Sequence, residues 1–215
     1  MADFHRTNVN DRSFIRGAAR ILIAPIAQAR PTKIEDVIHL AAAVGPPAVE
    51  QYDAKTGWTD LGATKTGIQI TVNNAEETFD VDQVLGDISS APTNWECSVG
   101  TQLAEMTPEK LQIAWEGSAI TTDSTPTVPE QEIGFGSPVA YTQRRMAVLF
   151  QRPNGKIRAY LFHKVQRQPQ ESSVTHAKTG EQISVPARWN VLSDTTISDP
   201  LKRFFIIRDQ DVPSP

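Results

Sequence analysis

Asp80 and Asp82 stand one residue apart, and in an extended segment that spacing puts both carboxylates on one face. Such a pair holds a divalent cation when further oxygens converge on it. Here no Gly-rich loop surrounds the pair, and a solvated strand face is the simpler reading. The four histidines, His5, His39, His163 and His176, are scattered, with no pair at metal-ligand spacing. His163 falls in an apolar-rich stretch, where a histidine is ordinarily solvent-facing or satisfied within a sheet. Ser98 follows Cys97 without the preceding glycine of a nucleophile elbow. Cys97 alternates with apolar neighbours and reads as a small core residue. Gly134-Phe135-Gly136-Ser137 lacks the lysine of a phosphate-cradling loop, and Arg144-Arg145 would point to opposite faces of a strand rather than form a basic patch. No catalytic, cofactor-binding or metal-binding residue is assigned from these patterns.

The elements that position these residues follow from composition and periodicity. The chain has 215 residues, 21 Lys and Arg against 25 Asp and Glu, and a formal net charge of -4. That balance argues against a dedicated nucleic-acid binder, which shows a basic excess or patch. The length suits one large domain with a core of its own. A single cysteine excludes an internal disulfide framework. No apolar run approaches the ~18 residues of a membrane helix. The longest, from Val37 to Val49, is broken by Gly45-Pro46-Pro47. The polar N-terminus carries no signal-peptide core, so the expectation is a soluble protein made in a cytoplasm.

Residues 1–17 read as a polar, flexible arm with Phe4, Phe14 and Ile15 as apolar anchors for a subunit interface. A single domain spans 18–210, and 211–215 is a short tail. Ala19 to Pro25 is an apolar strand. Thr32 with Glu35 forms a capping-box pattern before Asp36 to Ala43, which is either a short helix or an irregular loop. From residue 57 the period is two: Ile68, Ile70 and Val72; Phe79 and Val81; Trp95, Cys97, Val99, Thr101 and Leu103. Asn73-Asn74-Ala75 is a turn candidate, so Ile68 to Asp82 is expected as a hairpin. Thr107, Pro108 and Glu109 open a helix over about 107–116, with Leu111, Ala114 and Trp115 as its apolar stripe and Gly117 as its stop. Residues 118–140 read as a long loop or a broken weak strand. Arg144 to Gln151 and Lys156 to Gln166 are strands joined by an Asn-Gly hairpin turn. Ile183 to Val191 alternates cleanly, with Pro186 marking an edge or bulge. Arg203 to Arg208 is a last strand. With no βαβ rhythm, this is a mainly β, antiparallel sandwich or barrel-like fold with one flanking α-helix.

The middle of the chain resembles a known family. Gly57-Trp58-Thr59-Asp60-Leu61-Gly62 comes first, then Gly67-Ile68-Gln69-Ile70. Val81-Asp82-Gln83 follows with Gly86 and Ile88, and Leu103-Ala104-Glu105-Met106-Thr107-Pro108-Glu109-Lys110-Leu111 leads into the helix. In order and spacing over residues 57–116, these segments resemble the major tail tube protein of long, non-contractile-tailed bacteriophages. Residues 31–56 and 118–140 match nothing in that pattern.

The resemblance implies a structural subunit, not an enzyme, with no cofactor. Its partner would be itself, as homo-hexameric rings stacked into a tube. It also implies contact with tape measure, tail terminator and tail-tip or baseplate proteins. Double-stranded DNA would be in transit only, and no membrane is involved. Assembly in the host bacterial cytoplasm and residence in the virion tail follow. Asp80, Asp82 and Glu96, acidic residues on the polar faces of neighbouring strands, are candidates for the lumen lining. The competing reading is a carbohydrate-binding or other β-sandwich binding module using Trp58, Trp95, Trp115, Trp189 and Tyr52, although three of these tryptophans fall on faces assigned to the core. A jelly-roll hydrolase lacks an acid–base pair in the sequence.

Overall fold

The computed structural model describes residues 19–44, 49–79, 89–136, 140–151, 156–168 and 184–210. Among them the chain runs β1 (Ala19–Pro25), β2 (Ile38–Val44), β3 (Val49–Ala54), β4 (Thr59–Asp60), β5 (Thr64–Phe79), β6 (Ser89–Leu103), α1 (Pro108–Trp115), β7 (Thr121–Asp123), β8 (Glu130–Glu132), β9 (Gln143–Gln151), β10 (Ile157–Arg167), β11 (Val185–Val191) and β12 (Phe205–Asp209). Every strand pair whose register is defined is antiparallel, and the fold is mainly β with one α-helix. The contacts divide the chain into two compact units.

The first unit takes residues 1–63, 143–164 and 193–215. Its strands neighbour in the order β4, β1, β9, β10, with β12 also on β10. Ile21 to Ala24 of β1 and Met146 to Leu149 of β9 are buried without alternation, because both faces of these strands are covered. Leu22, Ala24, Ala147, Leu149, Ala159 and Leu161 pack with Ile34, Val37, Ile38 and Trp58 in one cluster. Each large member contributes ~1.5–3 kcal/mol by leaving water.

The Thr32 segment is neither the short helix nor the irregular loop that its sequence left open. A single 3-10 turn, Ile34–Asp36, precedes strand β2. Asp36, not Glu35, closes the turn, accepting from the amides of Thr32 at 2.8 Å and Lys33 at 3.0 Å and from the Thr32 hydroxyl at 3.0 Å. Pairing of Ile38 with Ala54 and Leu40 with Tyr52 then draws the alanine-rich stretch into a hairpin with β3, overriding its helix propensity.

The second unit takes residues 64–142 and 165–192. Here β6 lies between β5 and β11, and the last residues of β10, Val165 to Arg167, pair with Val191 to Trp189. β5 corrects the expected hairpin at Asn73-Asn74-Ala75. The strand runs unbroken for 16 residues, with Asn73 opposite Glu96 and Asn74 opposite Trp95. The Asn-Asn-Ala triplet lacks the glycine that a tight turn requires, and β6 offers it a continuous ladder. The ladder shifts register between Ala75 and Glu76 instead. β11 has β6 along its whole length, with Pro186 opposite Gln102, but among the described residues only Trp189 to Val191 also pair with β10. The missing N–H of Pro186 therefore falls where β11 has a partner on one side.

α1 packs on β11. Its buried residues are Ile113 and Ala114, whereas Leu111 and Trp115 are half-buried, so the buried face is rotated from the expected stripe. Trp115 leans edge-on against Phe135, their ring centroids 5.4 Å apart. Thr107 precedes the helix in extended conformation with no side-chain cap bond, and Glu116 ends it in the left-handed region at φ 56°. Segment 118–136, expected as a loop or weak strand, contains the short hairpin of β7 and β8. Its base closes through Ser118 N donating to Gly134 O at 2.7 Å. A β-carbon on Gly117 would lie 2.7 Å from the Ile133 side chain and 2.8 Å from the Phe135 ring, so a larger residue there would displace one of them.

Candidate functional site

Three arrangements carry the chemistry of the described residues. The first is the segment behind the family resemblance. Gly57 and Gly62 bracket it with φ of 89° and 79°, values that glycine adopts without strain. Between them Trp58 and Leu61 are buried, while Asp60 accepts from Gly62 N at 2.8 Å and pairs with Arg20 at 2.5 Å. The Gly-Trp-Thr-Asp-Leu-Gly spacing is thus a structural turn in which Gly57, Trp58, Asp60, Leu61 and Gly62 each have a mechanical reason. Among the later motif residues, Glu105 pairs with Lys110 at the entry to α1.

The second is a buried charge cluster at the end of the first unit's core face. Arg145 of β9 donates to Gln28 O at 2.6 Å and to His163 O at 2.7 Å, and lies 4.0 Å from Asp194. Arg30 stands 3.9 Å from the same carboxylate. Burial opposes ionisation of Asp194, but the hydroxyl and amide of Thr196, with Lys164 and Arg30 nearby, outweigh it and hold the carboxyl below its ordinary range. His163 is 2% exposed, and its Nδ1 meets no partner among the described residues. Burial, reinforced by Arg30 and Arg145 and opposed by Asp194 and a hydrogen bond with the Lys202 backbone, lowers its pKa to about 4. His163 is therefore a neutral interior residue at pH 7. Sequence reasoning missed this group because its members lie far apart in the chain. The available signals were Arg145 directly before an apolar run and the Asp-x-Thr turn at Asp194.

The third is the polar face of the second unit's sheet and the edge of β5. Ser98, Gly100 and Gln102 alternate on β6 with the buried Cys97, Val99, Thr101 and Leu103. Burial pushes the Cys97 thiol up to about 11, so it is protonated and inert at neutral pH. Register shifts between Thr64 and Gln69 lift β5 away from regular pairing. A shallow groove of about 240 Å³ opens there, lined by residues that include Thr66, Gly67, Gln69, Gly100, Gln102 and Arg188. Arg188 donates to Ser98 Oγ at 3.0 Å, and among the described residues it meets no carboxylate. Farther along, Glu96 is exposed and accepts from Asn94 Nδ2 at 2.9 Å. The other edge of β5 has no partner among the described residues, and Val72 on this strand is 46% exposed.

Of the acidic lumen candidates, only Glu96 falls within the described residues. Asp80 and Asp82 lie outside them, as do Phe4, Phe14 and Ile15. Of the residues considered for a sugar platform, Trp58 and Trp189 are buried in the core. Among the described residues, no three of His, Cys, Asp and Glu come together as a metal site, and no helix is long and apolar enough to cross a membrane. Compared with protein-family models and with curated proteins, the sequence matches none.

Proposed function

We propose that this protein is a structural, self-assembling subunit of a bacteriophage tail tube, with no enzymatic activity. Copies associate edge to edge into rings, six per ring on the family pattern, and the rings stack into a conduit through which genome DNA passes to the host cell. The observation that carries the reading is β5, a 16-residue strand paired on one side only among the described residues. An edge of that length is a template for another chain, and natural proteins blunt such edges unless they use them. β5 contains no proline, its charged residues Lys65, Glu76 and Glu77 stand towards its two ends, and its register shifts leave Gln69 to Ala75 regularly paired with β6. The ordered motifs of residues 57–116 supply the family, and the geometry of Gly57, Trp58, Leu61 and Gly62 gives physical reasons for part of that pattern. A net charge of -4 suits a passage that repels phosphates rather than holding them. On this reading Glu96 faces the lumen, and the tape measure, terminator and tail-tip proteins are the tube's other contacts in the virion tail.

Negative-stain microscopy across a concentration series tests the reading directly. Tubes of uniform diameter, growing with protein concentration, are the expected outcome. A protein that stays monomeric at all concentrations and instead retains immobilised polysaccharide would replace the reading with the binding module.

A further inference from the structure

Two features of the second unit carry opposite charges that nothing within the described chain neutralises. The first is the groove at Arg188. Gly100 is its register partner on β6, and a β-carbon there would touch only the Arg188 stem, at 3.8 Å; one on Gly67 would meet nothing within 4 Å. The absent side chains leave the guanidinium open beside Gln69, Gln102, Thr66 and Thr71, all neutral donors. With no carboxylate in its lining, the groove is built to receive an oxyanion.

The second feature is the β7–β8 hairpin. Its register sets Asp123 directly opposite Glu130. Like charges opposite one another destabilise a strand pair, and this pair has only three residues per strand. Segment 121–132 carries Asp123, Glu130 and Glu132 and no Lys or Arg. The three residues are exposed, and among the described residues none of them forms an ion pair. Asp123 accepts from the Thr125 side chain and, at 2.8 Å, from Thr125 N, which keeps its carboxylate charged, and a cation supplied from outside would complete the pair.

We propose that the acidic hairpin of one copy of this chain seats in the Arg188 groove of a second copy, with Asp123 and Glu130 receiving the guanidinium. The inference rests on the self-assembly reading and names one of its contacts. Because two different patches meet, the contact is heterologous, the type that closes into rings or runs on as filaments. A nucleic acid is the poorer occupant: it demands several cations along its backbone, and among the described residues Arg188 is the only charged one in the groove lining. The groove occupies the Ser98 to Gln102 end of the face, leaving Glu96 beyond it.

Charge exchange tests the contact, with sedimentation velocity reading the concentration at which wild type and variants associate. Arg188→Glu, and separately Asp123→Lys with Glu130→Lys, should each raise that concentration about tenfold or more. The milder Arg188→Gln should raise it by a smaller factor. All substituted sites are exposed, and unchanged circular dichroism verifies folding. Combining both reversals in one chain should bring association back to within about threefold of wild type. Wild-type assembly with unaffected reversals overturns this contact and leaves the tube reading standing. Failure of the combined variant to recover overturns it as well. A wild-type protein that never associates overturns both readings. Binding of a short DNA duplex by wild type, lost in Arg188→Gln, would reassign the groove to phosphate and overturn the proposal.

Discussion

His163 is the residue whose chemistry departs most from its sequence appearance. An unfolded histidine titrates near 6.5, whereas this one has a pKa of about 4. Between those values the unfolded chain takes up a proton that the folded protein refuses. Stability is therefore full above pH 6.5, falls as the pH drops, and has lost this contribution completely below about 4. Burial sets the sign, and the groups facing the ring add to it: Arg30 and Arg145 oppose a further positive charge, and Asp194 offsets part of that. A difference of this size is worth about 3 kcal/mol. Urea unfolding at pH 7, 5.5 and 4.5 should reveal the loss, and His163→Leu should remove most of the slope in that window. A wild-type slope that persists in His163→Leu would place the acid sensitivity in other groups. Carboxylates such as Asp194, held below their ordinary range, lose their contribution at lower pH and leave this window largely to histidine.

At the scale of elements, α1 shows both what sequence gives away and what it withholds. Pro108 at the first helical position and Gly117 beyond the end marked its limits to within a residue. The buried face was less legible, because in eight residues the stripe Leu111–Ala114–Trp115 and the face around Ile113–Ala114 differ by a small rotation. β11 and the loop carrying Phe135 decide between them. Ile113 is 7% exposed, so Ile113→Ala should cost about 2–4 kcal/mol. Trp115 is half-buried against Phe135, so Trp115→Ala should cost no more than that, despite its greater volume. Denaturant melts decide the point: a loss at Trp115 well above that at Ile113 would restore the original stripe. The strands were easier to read, since period-two patterns announce a sheet whatever its neighbours, and β1 fell at Ala19–Pro25 as its apolar run implied. Asn73-Asn74 misled because turn propensity is local while the ladder with β6 is not. The charge cluster and the groove were illegible for the same reason: Gly100 and Arg188 become neighbours only through strand register, and Arg145 meets Asp194 only because the chain beyond β11 folds back onto β9.

For the whole molecule, the physical question is what meets the side of β5 that has no partner among the described residues. A chain gains nothing from a long strand edge that invites pairing, unless pairing is its purpose. On the proposed reading, edge pairing repeated around a ring would give the β5 edge of every copy a partner at once, so assembly would satisfy at the level of the ring what the described residues leave open. Val72 gives access to this step without disturbing the fold, because it is already 46% exposed. Val72→Lys should therefore change the unfolding free energy by no more than about 0.5 kcal/mol. Lysine on an edge strand is also one of the devices by which natural sheets prevent edge-to-edge association. The same substitution should thus leave a folded, monomeric protein that forms few or no tubes. Thermal melting by circular dichroism and pelleting of polymer, performed on one preparation, separate the two effects. Tubes formed by Val72→Lys at wild-type concentrations would move the assembly contact off β5. A melting temperature that falls together with polymer would mean that Val72 supports the fold of the single chain.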